Sequence, residues 1–167
     1  MSLDELRQLG LWTADCAERG LPLFEAKAPD DRRPREAIEA IRVFGAGGKR
    51  TAQLRSAALA ALAAAREVED PAASAAGRAA GYAASSAYLH PLANPTQVRH
   101  VIAPAQYQAL ARELATGDPD DGDAEIRWAI EHAPTAVREL LRRYPEGKPG
   151  RGRLGALHRQ LEQGLRG

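Results

Sequence analysis

The densest run of chemically capable side chains lies early in the chain. Asp15, Glu18, Arg19 and Glu25 are followed by Asp30, Asp31, Arg32, Arg33, Arg35, Glu36 and Glu39. Carboxylates interleaved with guanidiniums can form ion pairs or hold a charged partner. Asp15 to Arg19 and Arg35 to Glu39 have i, i+4 spacing, which predicts pairs on a helix surface worth roughly 0.2–0.5 kcal/mol each. The functional alternative is a polar corner at a helix-turn-helix junction, with Arg19, Glu25, Arg33 and Arg35 as its partner-binding residues. A second charged group follows Val137, where Arg138, Arg142, Arg143, Lys148, Arg151, Arg153, Arg159 and Arg166 face only Glu139, Glu146 and Glu162. A local basic face of this kind can hold phosphates or an acidic protein, and Arg142, Arg143 and Arg151 are its candidate contact residues. No aromatic interleaving or nucleic-acid motif accompanies it, so nucleic acid ranks behind a solvated face.

Other groups are less suited to chemistry. Asp118, Asp120, Asp121, Asp123 and Glu125 are too closely spaced for a calcium loop, which sets oxygen ligands at alternate positions over about 12 residues. Asp123 reads instead as a helix cap. His90, His100, His132 and His158 are scattered without paired cysteines or an i, i+4 histidine pair, so no metal and no cofactor is expected. Cys16, beside Ala17, reads as a small packed residue rather than a nucleophile. Tyr82, Tyr88, His90 and Tyr107 could line a small-molecule pocket between helices, binding a ligand or serving an enzyme.

The elements that must position these groups are helices. Between Ala57 and Ala87 half the residues are alanine, the best helix former and the smallest side chain that lets two backbones approach closely. Ala14, Ala17, Leu21, Phe24 and Ala28 share one face of a first helix over about 11–28, preceded by a short turn at Leu3 to Leu9 that Ser2 caps; Pro22 should kink or divide this helix. Pro34 opens a second helix with Ile38, Ile41 and Phe44 inward, ended by Gly45, Gly47 and Gly48. Thr51 and Asp70-Pro71 start a third helix and a fourth that can reach Leu89. On the fourth, Ala73, Gly77, Gly81 and Ser85 form a ridge of small residues in which a neighbouring helix should lie. Asn94-Pro95 starts a fifth, which Pro104 kinks or splits. Gly117 to Asp123 reads as a polar loop and domain boundary, followed by helices at 124–133, 135–144 and 153–165.

No stretch alternates like a half-buried strand. The expected fold is all-α: a compact multi-helix bundle of closely packed alanine-rich helices, with a core over 1–116 and a smaller C-terminal helical extension over 117–167 packed on it. The 167 residues carry 23 basic and 22 acidic side chains, a net charge of +1 that gives no global preference for nucleic acid or an anionic membrane. One cysteine permits no intrachain disulfide, the first residues are acidic rather than basic, and no run of about 18 apolar residues occurs. A cytoplasmic protein away from the membrane is expected, its oligomeric state open.

Leu11-Trp12-Thr13-Ala14-Asp15-Cys16-Ala17-Glu18-Arg19, Leu21-Pro22-Leu23-Phe24-Glu25, Pro29-Asp30-Asp31 and Arg33-Pro34-Arg35-Glu36-Ala37-Ile38-Glu39-Ala40 resemble the opening of a family of immunity proteins from bacterial polymorphic-toxin systems. Ala63-Ala64-Ala65-Arg66-Glu67, Asp70-Pro71-Ala72-Ala73 and Gly77-Arg78-Ala79-Ala80-Gly81 are similar to its continuation, so the resemblance spans about residues 11–90. Where the family commonly carries histidines, this chain has Leu62, Tyr82 and Tyr88. The resemblance implies a small helical protein that binds a cognate toxin and blocks it sterically. Such a protein needs a rigid complementary surface and no catalytic residue.

Overall fold

Five of the eight α-helices begin where a short polar side chain accepts from the free N–H groups of a first turn, and the other three start without such a cap. Ser2 and Glu5 form a reciprocal capping box at the start of α1 (Leu3–Lys27). Pro34 lies in the first turn of α2 (Arg33–Gly45). Thr51 caps α3 (Ala52–Glu67), Asp70 caps α4 (Pro71–Ser85), and Asn94 caps α5 (Pro95–Thr116). Asp118 caps α6 (Pro119–His132), and α7 (Thr135–Arg142) and α8 (Gly152–Arg166) complete the chain. The structure is a computed structural model that describes residues 1–167, and it contains no strand. The fold is an all-α bundle.

Several expectations about helix boundaries are corrected. Pro22 and Pro104 neither end nor divide their helices, and α1 runs unbroken from Leu3 with no separate preceding turn. An internal proline costs about 3 kcal/mol through a lost hydrogen bond and a steric clash. Burial on both sides offsets this: Leu21 and Phe24 flank Pro22, Ile102 and Ala105 flank Pro104, and each large buried side chain contributes about 1.5–3 kcal/mol. The polar run at Gly117–Asp123 is largely helix, because Asp118-Pro119 is itself a cap followed by a first-turn proline. Gly117, at φ 76°, closes α5 in the left-handed conformation. After Ser85 the chain tightens into one 3-10 turn over Ser86–Tyr88 instead of continuing as α-helix to Leu89.

The small ridge of α4 does what its side chains permit. A Cβ on Gly77 would lie 3.0 Å from the Ala65 Cβ and 3.2 Å from the Ala65 Cα, and one on Gly81 would lie 2.7 Å from Leu62. Helix α3 therefore sits in that groove almost backbone to backbone. Helix α4 is also packed by α1, α2 and α5, so alanine occupies the centre of the bundle. One continuous core joins Leu6, Leu9 and Trp12 of α1 to Val137 and Leu141 of α7 and to Leu157, Leu161 and Leu165 of α8. The buried Trp12 indole donates to the Ala129 carbonyl at 3.0 Å, tying α1 to α6 without leaving a polar atom unsatisfied. No helix is long and apolar enough to cross a membrane.

Candidate functional site

The early charged residues do not converge on one corner. Arg19 leaves the surface of α1 toward α6, where Nε donates to the Glu125 carboxylate at 2.7 Å and the guanidinium lies 4.1 Å from the centre of the Trp128 ring. Arg112 approaches the same carboxylate at 3.6 Å, and the Glu125 side chain is only 10% exposed. Glu25 and Arg35 form a two-pronged pair between α1 and α2, and Arg33 joins Asp31 to Glu67 at the end of α3. Asp15 and Glu18 both take Arg42. The expected pairs Asp15–Arg19 and Arg35–Glu39 are thus replaced by pairs between helices. A sequence shows which charges share a helix face, while a neighbouring helix decides which charge lies nearest.

Three of these carboxylates, Glu25, Asp31 and Glu67, are held in the ionised form. The Arg35 guanidinium lowers the pKa of Glu25, and Arg33 does the same to Asp31 and Glu67. Most of the basic C-terminal group is also committed within the molecule. Arg138 donates to the Ile130 and Gly164 carbonyls, Arg142 to those of Arg166 and Gly167, and Arg143 to Glu5. Arg153 spans Glu113 and Asp123, so the acidic segment folds onto the bases that follow it, and Asp123 serves as an ion-pair partner instead of a helix cap. Of the three candidate contacts on this face, Arg151 alone makes no side-chain contact with a polar group of the chain.

The expected ring pocket is divided. Tyr82 and Tyr107 meet with ring centres 5.3 Å apart and border a cavity of about 250 Å³ between α4 and α5, together with Thr96, Arg99, His100 and Gln106. Tyr88 and His90 lie elsewhere. The Tyr88 hydroxyl donates to the Thr51 carbonyl under the Arg55 guanidinium, and the exposed His90 accepts from Tyr144 through its carbonyl. Cys16 is 1% exposed, and burial raises the pKa of its thiol far above the ordinary range, the opposite of what a nucleophile needs.

Two features escaped the sequence reading. His158 and Glu162, four residues apart on α8, form a buried pair at 2.8 Å, and Glu162 also accepts from the Gly147 N–H and from Arg166. Although burial acts to raise it, the pKa of Glu162 is lowered by these donors. The cluster pins the segment after α7 onto α8, and the i, i+4 spacing of His158 and Glu162 was its visible signal. The second feature is a groove of about 630 Å³ between α2 and α3, floored by Ala40, Phe44, Leu54, Ala57 and Ala60. Val43, 66% exposed, stands on its rim beside Glu36 and Glu39. These carboxylates share Arg32 at 3.8 and 3.9 Å, and Lys49 lines the same groove, so its rim carries charges of both signs and no net charge.

The arrangement is a stiff body with charged struts between helices, a groove with an apolar floor between α2 and α3 and a small polar cavity between α4 and α5. A family model described as Imm-5 like putative immunity protein matches residues 1–136, reaching well past the early segments that carry the resemblance. No curated protein and no solved structure matches the chain. With the match extending from α1 into the start of α7, the chain belongs to the Imm-5 like putative immunity protein family.

Proposed function

We propose that this protein neutralises a toxin by binding it and covering its working surface, without chemistry of its own. Family membership over residues 1–136 is the observation that carries this reading. The architecture supports it in physical terms. A blocking protein gains affinity when its contact surface is ordered before binding, since little conformational freedom is then lost on association. Close packing of α3 on α4, and ion pairs that join α1 to α2 and α6 and α5 to α8, supply that order.

The contact face assigned in this reading is the α2–α3 groove. Its apolar floor and exposed Val43 offer the desolvated centre that protein interfaces use, and Glu36, Glu39 and Lys49 on its rim can pair with complementary charges around an apolar segment. Such a partner would place its apolar side chains against Ala57 and Ala60 and its basic groups on the α2 rim. The compartment in which this happens is proposed to be the cytoplasm.

Co-expression with candidate toxin domains, starting with any found encoded beside its gene, tests the proposal. Protection of the host cell and co-purification of a stable complex are expected, and Val43→Asp should weaken the complex by roughly tenfold or more, as centrally placed contacts do. Failure to bind or protect against any of them overturns the reading. Full affinity in both Val43→Asp and Ala57→Gln moves the contact away from this face.

A further inference from the structure

We infer that the cavity between α4 and α5 is a binding site for a small oxyanion of the phosphate class, drawn in by Arg99 and Arg78 and oriented by the hydroxyls of Tyr82, Tyr107 and Thr96. Every polar side chain that borders this cavity can donate a hydrogen bond, and no carboxylate borders it. Phosphate accepts through all its exposed oxygens, so a wall of donors matches it, whereas a cation would find no charge to bind.

The charge balance around the cavity points the same way. In this chain Arg19, Arg33, Arg35, Arg42 and Arg153 each hold a carboxylate. Arg99 borders the cavity and Arg78 lies one turn before Tyr82, close enough for its charge to act on the Tyr107 phenol. Neither guanidinium has a carboxylate within salt-bridge distance. Arg99 thus brings a positive charge to the opening with no carboxylate on the lining to neutralise it, and Arg78 adds a second one turn from Tyr82. The opening also lies against the first turn of α5, which carries no acidic residue, so the helix dipole adds to the positive field rather than being offset.

The same surroundings set the protonation of the lining groups. Burial, and then the nearby Arg99 charge, lower the pKa of His100. Burial and the Tyr82 hydroxyl raise that of Tyr107, which keeps its phenol protonated and able to donate. Gln106 is held by a 2.8 Å bond to the Leu154 carbonyl, and Tyr82 leans on Tyr107, so part of the wall is fixed before any ligand arrives. At about 250 Å³ the cavity suits a phosphate with little attached to it. The toxin-binding groove lies between α2 and α3, and neither site requires the other.

The test is a titration of the full chain with inorganic phosphate, ionic strength being held constant with chloride, followed by calorimetry and by amide chemical shifts. One saturable site is expected, with shifts concentrated at Tyr82, Thr96 to His100, Gln106 and Tyr107. Arg99→Gln should weaken binding about tenfold, the scale of one charge-assisted hydrogen bond, and Arg78→Gln, which removes a charge outside the lining, by a smaller factor. Arg151→Gln should leave binding unchanged, and acetate should bind at least about tenfold more weakly than phosphate, having fewer oxygens and less charge. Neither Arg78 nor Arg99 holds the fold together, so unchanged thermal unfolding of both variants would show that any loss is one of binding. Shifts spread over Lys148, Arg151 and Arg159 without saturation overturn the site. So does wild-type affinity in both Arg78 and Arg99 variants, and acetate binding as tightly as phosphate overturns the ligand class.

Discussion

Replacing Gly77 with alanine separates close packing from mere helix propensity. In an unconstrained helix interior this change stabilises by about 0.8–1.0 kcal/mol, because alanine loses less backbone freedom on folding. At Gly77 the new methyl would stand 3.0 Å from the Ala65 Cβ, 3.2 Å from the Ala65 Cα and 3.3 Å from the Phe24 ring. Two of those atoms move only if α3 moves. Overpacking of a dense core costs about 1–3 kcal/mol, so the net expectation is a destabilisation of up to about 2 kcal/mol in place of the gain. For a chain of this size each kcal/mol lowers the unfolding midpoint by about 2–4 °C. Gly81→Ala is the internal comparison. Its methyl would meet the Leu62 side chain at 2.7 Å and the Ala58 carbonyl oxygen, a backbone atom, at 3.1 Å, so a loss at least as large is expected there. Urea unfolding followed by far-ultraviolet circular dichroism reads both, and the double variant Gly77→Ala with Ala65→Gly should recover part of the loss beyond additivity. A Gly77→Ala protein more stable than the parent, or no coupling to Ala65, would refute backbone-close contact between α3 and α4.

Three further outcomes follow from the ion pairs and the core. Arg19→Met should destabilise by about 1–3 kcal/mol, since the Glu125 carboxylate would keep only the more distant Arg112; equal urea midpoints in parent and variant would remove that strut from the account. Glu25, Asp31, Asp123 and Glu162 all have lowered pKa values in the folded state, so the stability they confer is complete above the ordinary carboxylate range and is lost as pH falls through their lower folded values. The urea midpoint should therefore fall modestly from about pH 7 to 5, where His100 with its lowered folded pKa is protonated more readily in the unfolded chain, and fall further below about pH 4 as the carboxylates titrate; a midpoint that rises on acidification contradicts the assignment. Cys16 should react with a thiol reagent only as fast as the protein unfolds, and rapid labelling under native conditions would show that its helix face is open.

Much of the helical order was legible because caps are local. Thr51, Asp70-Pro71 and Asn94-Pro95 announce helix starts within three or four residues, and the structure places helices there. Asp118-Pro119 carries the same signal as Asp70-Pro71, but the surrounding acids made a loop look the simpler reading. Pro22 and Pro104 show the limit of a local rule, since their cost is offset by burial that no single helix reveals. The candidate sites were less legible for the same reason. Tyr82 and Tyr107 are 25 residues apart and meet only because α4 and α5 are packed neighbours. Arg42, which collects Asp15 and Glu18, and Arg153, which collects Glu113 and Asp123, are invisible as partners until α1 faces α2 and α5 and α6 face α8. Within a helix the His158–Glu162 spacing was available and describes a real contact.

If the protein works as proposed, it is a rigid cover on a toxin and changes no bond in it. The most direct measurement is to form the complex with the toxin domain against which it protects, separate the two under mild denaturation, and assay the recovered toxin alongside its intact mass. The account predicts an unaltered mass and full return of activity once this protein is removed. A toxin that stays inactive after separation, or that carries a changed mass, would contradict it.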